Sequence, residues 1–228
     1  MLTTPRYIAG RLRRYIYRRL YGDPDNYLEL CSGVIHVGAN AGQERDLYAR
    51  HKLKVAWIEP IPEQFEELRQ NIRSIPDQRA INALIADVDG KPYTFHVSNN
   101  DGLSSSILDL RGHKDIWPDV HYVRDITINS STLKTALETW GIDSGQYNAL
   151  VLDTQGSELL VLRGAKEILR QFRFIKAEAA DFESYRNCAT VDQLCSYLKS
   201  FGFQMKRGDR FAKRASGGAY YDLLFERV

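Results

Sequence analysis

Carboxylate side chains follow apolar, strand-like runs at several points along this chain. Glu59, Asp87, Asp153 and Glu178 each stand at the end of such a run or just after it, and helix-like patterns separate the runs. In an open α/β sheet, ligands bind outside the carboxyl ends of the strands. We therefore expect these acids to lie around one ligand site.

The first apolar run, "VIHV", is followed by the glycine-containing segment "GANAG", Gly38 to Gly42. Glycines let the backbone turn sharply and bring amide groups close to a ligand at a helix N-terminus. Glu59 ends the next run, where a carboxylate can accept hydrogen bonds from both hydroxyls of a ribose. The simpler alternatives are a turn that merely needs glycine and a solvated acid ahead of a helix.

This combination favours a nucleoside cofactor at the edge of a parallel sheet. A dinucleotide site typically has the pattern G-x-G-x-x-G, with a helix close against the pyrophosphate, and "GANAGQ" lacks the first G-x-G pair. The sequence therefore favours S-adenosylmethionine over NAD.

Alternating strand and helix patterns from Gly33 onward predict an α/β fold. We expect a mostly parallel open sheet with helices on both faces and an antiparallel pair at the C-terminus. The predicted strands are Val34–Val37, Lys54–Ile58, about Ala80–Ile85, Lys91–Asn99, one ending at Asp153, one ending near Glu178, and the pair "GFQMKR" and "AYYDLLFERV". The predicted helices are Gln43–Arg50, Pro62–Ile75, one from about Ser157, and Val191–Ser200. The polar segment at about 98–120 is an inserted loop, long enough to be functional.

The first 30 residues differ from the rest in charge. Six arginines lie between Arg6 and Arg19 with no acid before Asp23, and apolar residues recur at helical spacing. We expect residues 1–30 to form a basic amphipathic helical extension and residues 31–228 to form the main domain. The functional interpretation is docking on an anionic membrane surface or a polyanionic substrate. The alternatives are a helix packed on its own domain and a transit peptide.

The composition limits the remaining classes of function and the location of the protein. A formal net charge of +2 is too small to indicate nucleic-acid binding. Three cysteines without a CxxC motif favour a reducing compartment, so we expect a cytoplasmic protein, peripheral at the inner membrane surface if the basic extension binds lipid. No apolar run approaches the ~20 residues of a membrane-spanning helix. The oligomeric state is left open.

Four blocks of this sequence resemble the FkbM-type methyltransferases, a family of S-adenosylmethionine-dependent enzymes with the class I methyltransferase (Rossmann-like) fold. The blocks are "VIHVGANAGQE", "WIEPIPEQFEEL", "SNNDGLSSSIL" with His113 shortly after, and "VLDTQGSELLVLRGA", with "IKAEA" as a weaker fifth. Two positions depart from the family pattern: His36 stands where an acid is common, and "IKAEA" replaces a more usual glutamate-valine. The resemblance implies methyl transfer to an oxygen, often a hydroxyl of a sugar or of a polyketide-like natural product.

The residue patterns and the resemblance together give a set of expected cofactor-binding residues. They come from the glycine segment, the end of the second strand and the serine run of the inserted loop, with Asp87 assigned to the adenine edge by its position after the third strand. The alternatives are a turn acid at Asp87 and a merely flexible turn at the serines. The expected residues are His36, Gly38, Ala39, Asn40, Gly42, Glu59, Pro60, Asp87 and Ser105.

A hydroxyl acceptor needs its proton removed by a general base or by a metal that lowers its pKa. Asp153, exposed by the "TQG" turn, is the first catalytic candidate, and Glu178 on the neighbouring strand can share an acceptor or a cation with it. With His113 or His121, these acids supply ligands suited to Mg or Mn, or orient a histidine base. Spacing does not choose between these roles. The alternatives are an Asp153 that caps the next helix and histidines that are solvated loop residues.

Two other function classes stay open at this point. One is an NAD(P)-binding oxidoreductase that uses the same Glu59, and the other is a non-catalytic adaptor that reaches a membrane through the basic extension. Trp117 in the inserted loop and the 13 tyrosines fit a carbohydrate acceptor slightly better than an apolar one. We therefore expect a small-molecule or saccharide acceptor and no nucleic acid.

Overall fold

The computed structural model describes residues 24–228, so the basic segment Arg6 to Arg19 lies outside the described residues. A 3-10 turn, Asn26–Leu30, comes before the main domain, Cys31–Val228. The strands are β1 Gly33–Val37, β2 Lys54–Glu59, β3 Gln78–Asn82, β4 Leu84–Ile85, β5 Pro92–Ser98, β6 Tyr122–Ser131, β7 Ala149–Leu152, β8 Phe174–Ala180, β9 Phe203–Lys213 and β10 Ala219–Arg227. The α-helices are α1 Arg45–Arg50, α2 Pro62–Ile72, α3 Leu133–Thr139, α4 Glu158–Gly164 and α5 Val191–Lys199. Within residues 24–228, no helix has the length and apolar character needed to cross a membrane.

Seven strands of the described chain form one sheet in the order β3-β2-β1-β7-β8-β10-β9. The first five strands of that order run parallel, whereas β10 pairs antiparallel with β8 and β9 pairs antiparallel with β10. This confirms the predicted mostly parallel sheet with its antiparallel C-terminal pair. Along the chain, β2 and β3 are added on one side of β1, and β7 and β8 are added on its other side. Ligands bind at the carboxyl ends of the strands where the direction of strand addition reverses in this way.

Helices cover both faces of this sheet. All five residues of β1 are buried, which explains why its sequence is an unbroken apolar run rather than an alternating one. Ile35 packs in the main core with Leu133 of α3 and Leu194 of α5. The neighbouring side chain, His36, points to the other face and contacts Tyr48 of α1.

The prediction of one strand over Ala80–Ile85 is wrong. The structure divides this apolar run into β3, which belongs to the large sheet, and β4, which pairs with β6 in a separate three-stranded sheet of order β4-β6-β5. Both short strands carry buried apolar residues, so the hydrophobic pattern alone does not show that the chain changes sheets between them.

No element was predicted for residues 122–139, where the structure has β6 and α3. Most of β6 is exposed or half-buried, so its apolar signal is weak, and its pairing partner β5 lies far back in the chain. Helix α3 begins after Thr132, whose side chain accepts a hydrogen bond from Thr135 N. This N-cap threonine is a local signal for the start of a helix, and the prediction of helices did not include it.

Candidate functional site

The turn between β1 and α1 lies directly against the end of β7. Gly38 has a φ of +85°, and a Cβ atom on it would lie 1.9 Å from the carbonyl oxygen of Asp153. Neither the backbone conformation nor the space admits a side chain there. The ends of the first and the fourth parallel strands therefore touch, and Asp153 stands beside the glycine turn.

The amide groups of this turn are used within the protein. Gly38 N and Ala39 N donate to the carbonyl oxygen of Ile58 at 2.9 and 3.1 Å. Asn40 N donates to Oε2 of Glu59 at 2.8 Å, and the next two amides also have acceptors inside the turn. The amides of residues 38–42 therefore have acceptors within the protein, so the turn shapes the site through its backbone path.

Glu59 is held in place by the backbone on both sides. It is only 4% exposed, and its two carboxylate oxygens accept hydrogen bonds from Asn40 N and Ile61 N, each at 2.8 Å. Burial raises the pKa of Glu59 to about 7, the two backbone hydrogen bonds oppose the shift, and the charge of Asp153 adds to it. Each oxygen keeps acceptor capacity for a ligand hydroxyl.

The inserted loop is tied to the glycine turn by Asn40. This residue has a φ of +45°, and its Nδ2 donates to the carbonyl oxygen of Asp101 at 2.9 Å. Within the loop, Ser98 N donates to Oγ of Ser105 at 3.0 Å. Gly102 and Ser105 line the same cleft as Glu59, so the loop forms part of the site wall.

A cleft lies along these strand ends, and the space between its wall atoms, open solvent included, is about 840 Å³. Ile61, Leu84 and Phe95 pack against one another and form an apolar wall of the cleft. A wall of this kind suits a flat, largely apolar group such as a purine ring.

The polar lining of the cleft is acidic. Glu44, Glu59 and Asp153 line it, and no Lys or Arg from the described part of the chain does. Carboxylates without compensating cations disfavour a pyrophosphate and favour a ligand that carries positive charge. The residues present therefore fit S-adenosylmethionine, a nucleoside with a sulfonium and an ammonium group, better than NAD.

The structure separates the residues expected to bind the cofactor into two groups. The residues that line the cleft are His36, Gly38, Asn40, Glu59, Pro60 and Ser105. Ala39 and Gly42 shape the turn without lining the cleft.

Asp87 also stays outside the cleft. Because β4 carries the chain into the second sheet, Asp87 lies beyond the cleft wall, where it accepts a hydrogen bond from Tyr93 Oη at 3.4 Å. It is therefore not positioned for the adenine edge.

Asp153 follows β7, lines the cleft and is half-buried. Gln155 Nε2 donates to its Oδ1 at 2.6 Å, and Tyr185 Oη donates to Gln155 Oε1 at 2.6 Å. Burial raises the pKa of Asp153 to about 7, against the opposing effect of the Gln155 hydrogen bond, and neighbouring carboxylates raise it further. A carboxylate that titrates near neutral pH has the proton affinity that general-base catalysis requires.

Asp153 does not cap the next helix, which was the alternative interpretation of this residue. Glu158, the first residue of α4, turns back so that its Oε1 accepts hydrogen bonds from Thr154 N at 3.0 Å and Gly156 N at 3.1 Å. Asp153 is therefore free of that structural task and faces the cleft.

Glu178 lies next to this region but outside the main cleft. It lines a separate small cavity together with Glu158 and Tyr220, and it is the register partner of Asp222 across β8 and β10. Burial raises the pKa of Glu178 well above its usual range, and the charges of Asp153, Asp222 and Glu158 add to the shift. Its position suits an electrostatic neighbour of Asp153 rather than a contact to a ligand in the cleft.

His113 does not reach the cleft. It is 3% exposed, its Nε2 lies 3.3 Å from Ser104 Oγ, and its ring packs against Trp117 and Tyr185. Burial lowers the pKa of His113 to about 4. The structure therefore assigns it an anchoring role in the inserted loop instead of the catalytic one expected, and His121 is an exposed loop residue.

His36 forms the floor of the cleft on β1. Its ring stacks on Trp57 with centroids 5.1 Å apart, and its Nδ1 shares a hydrogen bond with Tyr48 Oη at 3.2 Å. Burial lowers its pKa, the charge of Glu44 opposes that shift, and Lys176 adds to it. A neutral imidazole therefore stands where the family commonly has an acid.

The geometry gives no support to the expected Mg or Mn site. Among residues 24–228, no group of three or more His, Cys, Asp or Glu side chains is arranged to hold a metal ion. Of the expected ligands, Asp153 lines the cleft, Glu178 lines the small cavity behind it, and His113 is buried elsewhere.

Several residues of the site were not predicted from the sequence. Gln155 is part of the quoted "TQG" turn, but only the folded structure shows that its side chain bridges Asp153 and Tyr185. Glu44, just before α1, has no pattern that distinguishes it from the nearby Asp46. Phe95 alternates with polar neighbours as a strand residue should, yet the sheet that brings it to the cleft was not predicted.

The fold and the cleft define the class of protein. The magnesium protoporphyrin IX methyltransferase ChlM from Synechocystis PCC 6803, solved with bound S-adenosylhomocysteine, superposes on 100% of this chain and 90% of its own, with a TM-score of 0.51 and 11% sequence identity. At this identity the likeness shows the fold, and the molecule has the class I methyltransferase architecture.

The FkbM methyltransferase domain matches residues 36–205, and the chain belongs to this family. It is an S-adenosylmethionine-dependent methyltransferase, which excludes the oxidoreductase and the non-catalytic adaptor as its main function. It is similar to the 2-O-methyltransferase NoeI of Sinorhizobium fredii (strain NBRC 101917 / NGR234), with 29% identity over 176 residues that cover 74% of this chain and 71% of that protein.

Proposed function

We propose that this enzyme transfers the methyl group of S-adenosylmethionine to a hydroxyl oxygen of a saccharide, with Asp153 as the general base. The observation that carries the proposal is the Asp153 carboxylate, which lines the cleft, is oriented by Gln155 and has a pKa of about 7. Transfer to an oxygen is supported by the similarity to a 2-O-methyltransferase.

The donor end of the cleft is assigned from its lining. Glu59 accepts the ribose hydroxyls, because its backbone hydrogen bonds fix both carboxylate oxygens at the cleft surface. Ile61, Leu84 and Phe95 receive the purine ring. The bound donor supplies an activated methyl group on a sulfonium.

The protein then positions the acceptor and takes up its proton. Methyl transfer is an in-line displacement, so holding the hydroxyl oxygen beside the methyl group contributes a large part of the rate, ~7 to 11 kcal/mol in well-oriented systems. Asp153 would accept the hydroxyl proton as the new C–O bond forms and the bond from the methyl carbon to sulfur breaks, which leaves the neutral thioether S-adenosylhomocysteine. Gly102 and Ser105 of the inserted loop line the cleft.

A saccharide acceptor fits the polar end of the cleft better than an apolar acceptor. Gln43, Gln155 and Ser157 line the cleft and offer amide and hydroxyl groups for sugar hydroxyls. Peripheral binding to an anionic membrane through the segment Arg6 to Arg19 and a cytoplasmic location remain predictions.

The test is methyl transfer from isotope-labelled S-adenosylmethionine to a panel of saccharides and of apolar polyketide-like alcohols. We expect label in a saccharide product, as a methyl ether, and a loss of at least about a hundredfold in kcat for Asp153→Asn. Labelling of the apolar alcohols alone would contradict the saccharide assignment. A fully active Asp153→Asn variant would remove Asp153 from the role of base.

A further inference from the structure

Glu44 is a cleft-lining carboxylate whose side chain has no hydrogen-bond or ion-pair partner among residues 24–228. It directly precedes α1, is half-buried and lines the cleft. No hydrogen bond or ion pair joins its side chain to another residue in the described part of the chain. The nearest cation along the chain, Arg45, is directed to the carbonyl oxygen of Gly42 at 3.1 Å.

No ion pair with a cationic side chain of residues 24–228 neutralises Glu44, although Lys176 also acts electrostatically on the neighbouring His36. The field of Glu44 acts on His36 at the floor of the cleft and on Asp153 at the end of β7. His36 is neutral because burial lowers its pKa. Asp153 carries the same sign of charge when ionised, so two carboxylates face one cavity that no Lys or Arg among residues 24–228 lines.

A ligand cation that reaches a half-buried carboxylate without a partner forms a charge-assisted hydrogen bond with it. The methyl donor carries two cationic groups, the sulfonium at the reacting centre and the ammonium at its amino-acid end. Asp153 stands at the end of β7, in the catalytic position, whereas Glu44 stands beyond the glycine turn at the start of α1. Asp153 is therefore suited to the sulfonium, and Glu44 is suited to the ammonium group.

We propose that Glu44 binds the ammonium group of the methyl donor and so selects ligands that carry the amino-acid end. The inference deepens the proposed function, because it assumes that the donor lies in this cleft with its ribose at Glu59. It adds a specificity residue at a position that no sequence pattern indicated.

The experiment is calorimetric titration of the full chain with two ligands, S-adenosylhomocysteine and methylthioadenosine. The second ligand keeps the nucleoside and lacks the amino-acid end. The variants are Glu44→Gln and, as a matched control, Asp46→Asn. Asp46 is an exposed acid of α1, the helix that Glu44 precedes, and its side chain does not line the cleft. The titrations are made below pH ~7, where an α-amino group carries its proton.

We expect Glu44→Gln to raise the Kd of S-adenosylhomocysteine about tenfold, the effect of losing a hydrogen bond between charged groups. The Kd of methylthioadenosine should stay within about twofold, and Asp46→Asn should change neither. Because Glu44 has no partner within the described chain, the variant is expected to fold as the wild type does, which its thermal unfolding checks.

Two results would overturn this inference while leaving the proposed function intact. One is an equal effect of Glu44→Gln on both ligands, which would place Glu44 near the nucleoside. The other is no effect on either ligand combined with a raised acceptor KM, which would place it at the acceptor. Failure of the wild-type chain to bind either ligand would instead contradict the donor site itself.

Discussion

At the scale of single residues, Gly38 is a position of the site where no side chain can be added without disturbing the backbone. A Cβ atom there meets the backbone of Asp153, and the positive φ adds strain. We predict that Gly38→Ala lowers the free energy of unfolding by about 3–5 kcal/mol, measured by urea titration. The control is Gly90→Ala, where φ is also positive (+73°) but nothing lies within 4 Å, and we expect a loss of about 1 kcal/mol. Equal losses in the two variants would contradict the close contact.

Asp153 gives a second prediction at this scale, on the pH dependence of the reaction. A general base works in its ionised form, and the raised pKa of Asp153 lies at about 7. We therefore expect kcat to fall as the pH is lowered through about 7, by up to tenfold for each further pH unit, and to level off above it. Asp153→Asn should abolish this dependence along with most of the activity. A variant that keeps the same pH profile would indicate another base.

At the scale of elements, the link between the inserted loop and the glycine turn depends on one side chain. Asn40 donates to the carbonyl oxygen of Asp101, and Ser104 and Ser105 donate their amides within the loop. We predict that Asn40→Gly speeds hydrogen exchange of the Ser104 and Ser105 amides at least about tenfold. Glycine keeps the positive φ, so the change removes the link without adding backbone strain. Unchanged exchange in the loop would show that Asn40 does not hold it.

The elements also show what the sequence could and could not predict. The βαβ unit from β1 to β2 and the carboxylate at its end were predictable, because periodicity, glycines and strand ends are local signals. The division of Ala80–Ile85 between two sheets and the existence of β6 were not, because pairing partners far apart in the chain decide them. Likewise, His113 was assigned to catalysis although its ring is buried against Tyr185, a residue distant in the chain that no local pattern connects with it.

At the scale of the whole molecule, the sheet order gathers the chemistry at one edge. Because β1 lies between β2 and β7, Gly38, Glu59 and Asp153 come from distant parts of the chain and meet around one cleft. The chain as a whole has a net charge of +2, whereas the described lining of this cleft is acidic. The acidic lining of the cleft suits a cationic donor.

The measurement that tests the account most directly is the Kd of S-adenosylhomocysteine for the wild-type chain and for Glu59→Gln, with Glu63→Gln as control. Glu63 is an exposed acid of the following helix that pairs with Arg124 outside the cleft. The account predicts micromolar binding by the wild type, a loss of about a hundredfold for Glu59→Gln, in line with two hydrogen bonds to a charged acceptor, and no loss for the control. Wild-type affinity in Glu59→Gln, with the protein shown to be folded, would contradict a donor bound through its ribose at this carboxylate.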